Sequence, residues 1–527
     1  MRWDSWGVSG RQPELPPSVV EVLKQALHAD PNACPRTAVA DVRLSAPALP
    51  DSVRGALAEL VGAEHVRTDR QTRLLHVGGK STVDLLRCRS GAVLTAPDAV
   101  VLPADHEEVL AVLRCCATSR VAVVPFGGGT SVVGGLAPEG AARSAVIALD
   151  LRRMDRLVAV DEQSMTATLQ PGLRGPDAEH LLAERGLTIG HFPQSFEHAT
   201  IGGFAATRSS GQSSSRYGRF DDLVVALLVA TPRGELRLGR APASAAGPDL
   251  RELFLGSEGA FGVITEVTVR VRPTPEVRLQ DAWLFASFED GATALRRLAQ
   301  NDTLPAVARL SDEEETVVNS LLSARDTGPP GGAQAILVYE GGRAEAAARR
   351  LRASDVLSAV GGTPQEGSAA QEWRRNRFQA PYLRDTLLDH GVLVDTLETA
   401  SSWSVLPALY RAVKEAVGTE LRRQGTPSLV TCHISHVYAS GASLYFTVAT
   451  AAAPDPISQW RAVKKAAGDA IVGCGATITH HHGVGVDHRE WMTAEIGELG
   501  MAILRAVKDV LDPSGILNPG KLIPPVS

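Results

Sequence analysis

Val121–Leu136 reads VAVVPFGGGTSVVGGL. The β-branched run Val121–Val124 predicts a buried strand, which Pro125 should end. Gly127, Gly128 and Gly129 follow, then the hydroxyls of Thr130 and Ser131 and a second pair, Gly134 and Gly135. Without Cβ atoms, successive N–H groups can turn one way and form a nest for an anion. A P-loop needs a terminal Lys-Ser or Lys-Thr, which is missing. A dinucleotide fingerprint needs a helix directly after the glycines and an acid about 20 residues on. Asp150 stands near that place, but Pro138 and the strand-like Ala145–Leu149 replace the helix. The alternatives are a plain hairpin turn or a loop that holds the pyrophosphate of a flavin dinucleotide. The sequence around it favours the second.

Upstream, PDAVVLPADHEEVLAVLRCCATSR reads as a strand and then a helix over 106–118, capped by Asp105, with Val109, Val112, Leu113 and Cys116 on one face. Downstream come strands at Ala145–Leu149 and Met165–Leu169, a helix at Asp177–Arg185, and a hairpin over 223–238 turning at Pro232–Gly234. Between them, residues 190–218 are rich in Gly, Ser and Thr, yet carry Phe192, Phe196, Ile201 and Phe204. A solvated linker seldom holds such residues, so this is read as an ordered loop that wraps a flat polar ligand. Residues 256–273 form another glycine loop feeding a strand.

With 527 residues, two or three domains are expected. The divisions read as an N-terminal helical and loop extension (1–95), a cofactor domain (96–275), an α+β cap (276–475) and a returning C-terminal segment (476–527). Within the extension, Lys80 and Arg87 read as surface charges. A net charge of −6 without basic tracts argues against nucleic acid. Six cysteines in no CxxC pair fit reduced thiols in the cytoplasm. No signal peptide and no apolar run of about 18 residues is present, which leaves only peripheral membrane contact.

The triplet His480, His481 and His482 follows a predicted strand, Ala476–Thr479. In extended chain, His480 and His482 would face one side and His481 the other. No Cys or carboxylate is spaced nearby to complete a zinc site, so no metal is expected. A neutral imidazole with an unshifted pKa is suited to removing a proton from carbon beside a carbonyl. His482 is the chosen base. Tyr445 lies in an apolar strand, and Arg384 and Arg309 in apolar settings, where Asp385 or Asp312 could pair with them.

These stretches together resemble the flavoproteins of the vanillyl-alcohol oxidase type (PCMH-type FAD binding), above all their alkyldihydroxyacetonephosphate synthase branch. The resemblance runs through PFGGGTSVVGGL, PQSFEHATIGG, TPRGE, GSEGAFGVITE, APYLRD, LETASSW, GASLYF, THHHGVG and DPSGILNPGK. It implies a fold of class α+β, with a two-subdomain FAD-binding unit and an α+β cap. It implies non-covalent FAD, held by Pro125, Phe126, Gly127, Gly128, Gly129, Thr130 and Ser131 and by Gln194, Ser195, Phe196, Glu197, His198, Ala199 and Thr200. Thr207, Arg208, Ser209 and Ser210 would complete the set, with Glu258, Gly259, Ala260, Phe261, Gly262, Val263 and Ile264. Tyr445 would protonate a departing carboxylate and then help activate an incoming alcohol, Arg384 would anchor a substrate phosphate, and Arg309 would be a further site residue.

The implied reaction is ether-lipid synthesis. The acyl chain of acyl-dihydroxyacetone phosphate is exchanged for a long-chain alcohol, with flavin N5 as covalent electron sink. Homodimers are common in the family. Gln194 replaces an acid, Val486 a lysine and Ser443 a cysteine of that pattern. The rival reading is an FAD-dependent D-2-hydroxy acid oxidoreductase on the same fold.

Overall fold

The computed structural model describes residues 1–138, 145–322 and 331–524. Three sheets organise it. The first has four strands in the order Val66–Arg67, Ala99–Val101, Val146–Asp150, Ala122–Phe126, and the last three run parallel. Helix His106–Ser119 covers it, and the Asp105 carboxylate accepts from the Glu108 N–H as expected of an N-cap. The strand before the glycines does not stop at Pro125. It continues to Phe126, with Pro125 opposite Leu149, because an edge position tolerates the missing N–H.

The open side of that edge is taken by the end of the chain. Val123 donates to Ile516 O at 2.8 Å, and the Asn518 N–H returns to Val123 O at 2.8 Å. Asn518 Nδ2 then donates to the carbonyls of Gly135 and Glu258. Asp512, fully buried, fixes this tail by accepting from the N–H groups of Ile516 and Leu517 while pairing with Lys508 at 2.8 Å.

A second sheet of five antiparallel strands includes the hairpin Val224–Thr231 and Gly234–Leu238, whose two-residue turn lies at Pro232 and Arg233. Helix Ile201–Ala206 sits within the serine- and glycine-rich stretch, capped by Thr200. That stretch is therefore ordered.

The cap is a seven-stranded antiparallel sheet. From its middle to one edge it runs Val307–Ser311, Ser428–Val437, Gly441–Ala451, Val392–Ser402. Strand alternation divides its residues between two faces. Cys432, Ile434, Leu444, Phe446, Val448, Leu393 and Leu397 join the core against the helices Phe288–Gln300, Leu406–Arg423 and Pro456–Gly473. Their neighbours Thr431, His433, Tyr445, Thr447, Val394 and Thr396 line a cavity on the other side.

Two further expectations fail locally. Ala476–Thr479 forms no strand; one bridge joins Thr477 to Ala400. Lys80 is buried, not a surface charge, because its N–H docks on Ser131 O at 2.6 Å and the following helix, Thr82–Arg89, packs into the core. All six cysteines are free thiols. Among the described residues no helix is long and apolar enough to cross a membrane.

Removing a buried, charge-paired carboxylate costs about 3–5 kcal/mol. Asp512→Ala should therefore lower stability by roughly that amount, and urea denaturation of the holoenzyme should reveal it.

Candidate active site

One cavity of about 540 Å³ lies between the cap sheet and the glycine loop. Its floor is Pro125–Ser131, and the close packing there requires glycine. A Cβ on Gly128 would sit 2.0 Å from His198 O, and one on Gly127 2.5 Å from Thr200 Oγ1. Gln194, Ser195, Ala199, Thr200, Thr207, Ser209, Ser210, Glu258, Gly259, Gly262, Val263 and Ile264 also line it. This wall of backbone amides, hydroxyls and small residues fits a diphosphate and a flat ring system. No histidine, cysteine or tyrosine occurs between Pro125 and Ser131, so the loop offers no side chain for covalent attachment.

Seven residues expected at the ligand lie outside the lining. Phe196 packs between Phe192 and Phe378. Glu197 pairs with Arg11, and His198 meets the Tyr382 hydroxyl. Arg208 turns to Glu252 and Leu255 O. The Ala260 carbonyl accepts from Lys508, and Phe261 is core. His480 is the seventh.

The histidine triplet departs from extended geometry because one carboxylate gathers its backbone. Glu398, fully buried in strand Val392–Ser402, accepts from the N–H groups of His480, His481 and His482 at 2.7, 3.0 and 2.9 Å, and from Thr479 Oγ1 at 2.6 Å. Three consecutive N–H groups on one anion require a curled chain. As a result His481 and His482 line the cavity together, while His480 turns to the Tyr438 hydroxyl at 2.7 Å. The next turn is held likewise, with Glu258 accepting from Val484 and Gly485. Burial raises the Glu258 carboxyl to about 7.

Burial would also raise Glu398, but the histidines, His481 foremost, hold it well below the usual carboxylate range. Burial pushes His480 and His482 down to about 3. His482 is therefore neutral at physiological pH as expected, but a weaker base than an unshifted imidazole.

Tyr445 stands in a row across three strands. His433 is its partner on one side and Glu398 on the other. Its hydroxyl donates to Thr396 Oγ1 at 3.0 Å, and burial raises the phenol to about 12, so it holds its proton. The ring stacks on His433 at 4.7 Å and meets His482 edge-on at 5.6 Å.

Arg384 lines the cavity and bonds Asp385 Oδ1 through Nε and Nη2 and Lys80 O through Nη1. These three bonds leave two of its five N–H groups. Arg309 pairs with Glu315 at 3.0 Å, not with Asp312, whose partner is Lys414.

Glu398, Glu315, His433 and His436 are site residues that motif reading missed. The alternation Leu429, Thr431, His433, Ser435 against Val430, Cys432, Ile434 marks a strand with one polar face. The irregularity after Ile434 adds His436 to that face, where its Nδ1 meets Ser210 and Ser214. Ring nitrogens of His436, His480 and His481 lie within 4.8 Å of one another. His436 thus joins two members of the triplet from a strand distant in sequence.

A glycine-loop sheet, a second antiparallel sheet and a cap that roofs one cavity define an FAD-binding flavoprotein. The chain matches the FAD binding domain model over residues 97–239 and the FAD linked oxidases, C-terminal domain model over 274–522. It is 34% identical over 484 residues to the alkyldihydroxyacetonephosphate synthase of Dictyostelium discoideum, covering 88% of this chain and 79% of that one. The synthase of Trypanosoma brucei brucei is 34% identical over 507 residues, covering 92% and 82%. A solved alkyldihydroxyacetonephosphate synthase superposes with TM-score 0.82 at 28% identity over 98% of both chains. The chain belongs to the alkyldihydroxyacetonephosphate synthase family, and FAD is its cofactor.

Two outcomes are expected. Between about pH 6.5 and 3 the unfolded chain binds protons that buried His480 and His482 refuse, so stability falls as pH drops below 6.5. The slope is about 1.4 kcal/mol per pH unit for each histidine. His482→Asn should flatten it by one such increment in urea titrations. Glu398→Gln replaces a charged acceptor of four hydrogen bonds and should lower stability by about 2 kcal/mol or more.

Proposed function

We infer that this chain exchanges the acyl group of an acyl-dihydroxyacetone phosphate for a long-chain alcohol, forming an ether. The observation that carries the reading is the apolar share of the cavity's lining. Besides Tyr445 and His482 it includes Val19, Leu23, Leu27, Leu387, Val392 and Leu429, from the N-terminal helix and the cap. A small 2-hydroxy acid has no use for such a surface. An alkyl chain gains about 0.8 kcal/mol for each methylene buried there.

In this scheme the two spare N–H groups of Arg384 take the substrate phosphate, and Arg309 orders the neighbouring wall. His482 takes a proton from the reacting carbon. The imidazolium that results lies 4.0 Å from Glu398, whose negative charge offsets the weakness of the base. FAD supplies the electron sink for that carbon. Tyr445, protonated at neutral pH, donates to the carboxylate as it departs. The apolar part of the lining holds first the acyl chain and then the alcohol, and excludes water that would hydrolyse the ester. Helix Met492–Leu511 breaks at Gly497, and beyond the break it exposes Leu499, Ile503 and Val510, an apolar row suited to peripheral contact with the membrane that supplies these lipids.

The test is single-turnover chemistry on the purified flavoprotein. Acyl-labelled acyl-dihydroxyacetone phosphate should release labelled fatty acid, and added hexadecanol should yield the ether. Tyr445→Phe and His482→Ala should each lower ether formation at least 100-fold with flavin retained. Rapid anaerobic bleaching of the flavin by D-lactate or glycolate, with no fatty acid released, would establish the oxidoreductase instead. Leu23→Trp, which narrows the cavity where its lining is apolar, should shift the preferred alcohol to shorter chains, read from competition between C12 and C18 alcohols.

A further inference from the structure

The wall of the cavity opposite Glu398 carries a second carboxylate–imidazole pair. His433 lies on the cavity face of strand Ser428–Val437, beside Tyr445 in the row described above. Glu315 lies in the first turn of helix Glu313–Leu322. Its Oε1 is 2.9 Å from His433 Nδ1 and 3.0 Å from Arg309 Nη2, and Arg309 Nη2 is 3.0 Å from the same ring nitrogen. Both Glu315 and His433 are buried.

The tautomer follows from charge. A bare Nδ1 would set its lone pair against a carboxylate oxygen at 2.9 Å. A protonated Nδ1 donates to that oxygen, and the guanidinium is satisfied by the same carboxylate. Nε2 is then left as an acceptor on a ring that lines the cavity, and among the described residues nothing hydrogen-bonds it. Burial and Arg309 lower the imidazole's pKa and keep it neutral at rest. Although burial acts to raise the Glu315 carboxyl, His433 and Arg309 hold it at about 2. A neutral ring, one nitrogen anchored to an anion and the other open to substrate, is the arrangement of an oriented general base.

We propose that His433, oriented by Glu315 and Arg309, is a second catalytic imidazole whose Nε2 takes the hydroxyl proton of the incoming alcohol. The proposal rests on the synthase reading. In this step the alcohol O–H bond breaks and its oxygen bonds to the carbon that the carboxylate has left. The proton passes to Nε2 and then to solvent, while Tyr445 recovers its own as the fatty acid ionises and His482 returns the carbon's. The alcohol's proton is therefore the one released when an ester and an alcohol become an ether and a carboxylate. His482 and His433 thus divide the work: the first acts on carbon, the second on oxygen. Glu315 and Arg309 are positioning residues.

Because the two half-reactions separate the two bases, they test the proposal. With flavin content checked by absorbance, His433→Asn should release labelled fatty acid within a few-fold of wild type. It should form ether from labelled hexadecanol about 10²–10⁴-fold more slowly. Glu315→Gln should show the same split, and Glu315→Asp should recover part of the loss. In the wild-type holoenzyme labelled with ¹⁵N-histidine, the signal missing in His433→Asn should report the Nδ1–H tautomer, and Glu315→Gln should convert it to a mixture. Equal losses in both half-reactions, undiminished ether formation, or a bare Nδ1 in the wild type would each overturn the assignment. A wild type that releases no fatty acid overturns the synthase reading and this proposal together. A wild type that does, beside an unaffected His433→Asn, overturns this proposal alone.

Discussion

The buried carboxylate of Glu398 is the contact on which the rest of the site depends. It projects from the cap sheet and binds a segment more than eighty residues later through four hydrogen bonds of 2.6 to 3.0 Å, three from backbone N–H groups and one from the Thr479 hydroxyl. An isolated ionised carboxylate in such a place is prohibitive. Here the ring of N–H donors and the adjoining imidazoles supply what water would have given. The same contact fixes which histidines reach the cavity. Without it nothing would hold His481 and His482 on one side while His480 turns to Tyr438.

Across the cap sheet the design is repeated with different parts. Glu398 gathers backbone N–H groups, whereas Glu315 gathers a guanidinium and a ring N–H. Tyr445 stands between the two groups on the central strand of the three. A pleated sheet suits this task because its spacing is rigid. Cross-strand neighbours stand about 5 Å apart, so register alone sets the distances between reactive groups. The opposite face of the same strands carries Cys432, Ile434, Leu444 and Phe446 in the core, which resists displacement of the site.

Local patterns carried much of the fold. The strand–helix–strand unit before the glycines, the hairpin at Pro232 and the amphipathic helices are governed by neighbours in sequence, and they form where periodicity places them. The glycine loop was legible because its need for small residues is set by nearby backbone. The acids were not. Glu315 has no motif around it, LETASSW gives Glu398 no evident role, and their partners lie 82 and 118 residues away, so only the fold reveals what they do. The expected alternation of the triplet failed for the same reason, since a remote anion overrode local extended geometry. Lys80 was misread because its burial is decided by Ser131, not by its own polar surroundings. His433 left a trace in the two-residue alternation of its strand, a signal stronger than the motifs that drew attention elsewhere.

The pairing of Ile516 and Asn518 with Val123 also bears on how the molecule is made. On the ribosome, the strand leading into the glycine loop waits with one edge unpaired while nearly four hundred further residues emerge. Only once residues 516–518 have emerged can the cofactor cradle close. Loading with flavin therefore follows their synthesis, and chains truncated before them would expose a bare strand edge open to aggregation.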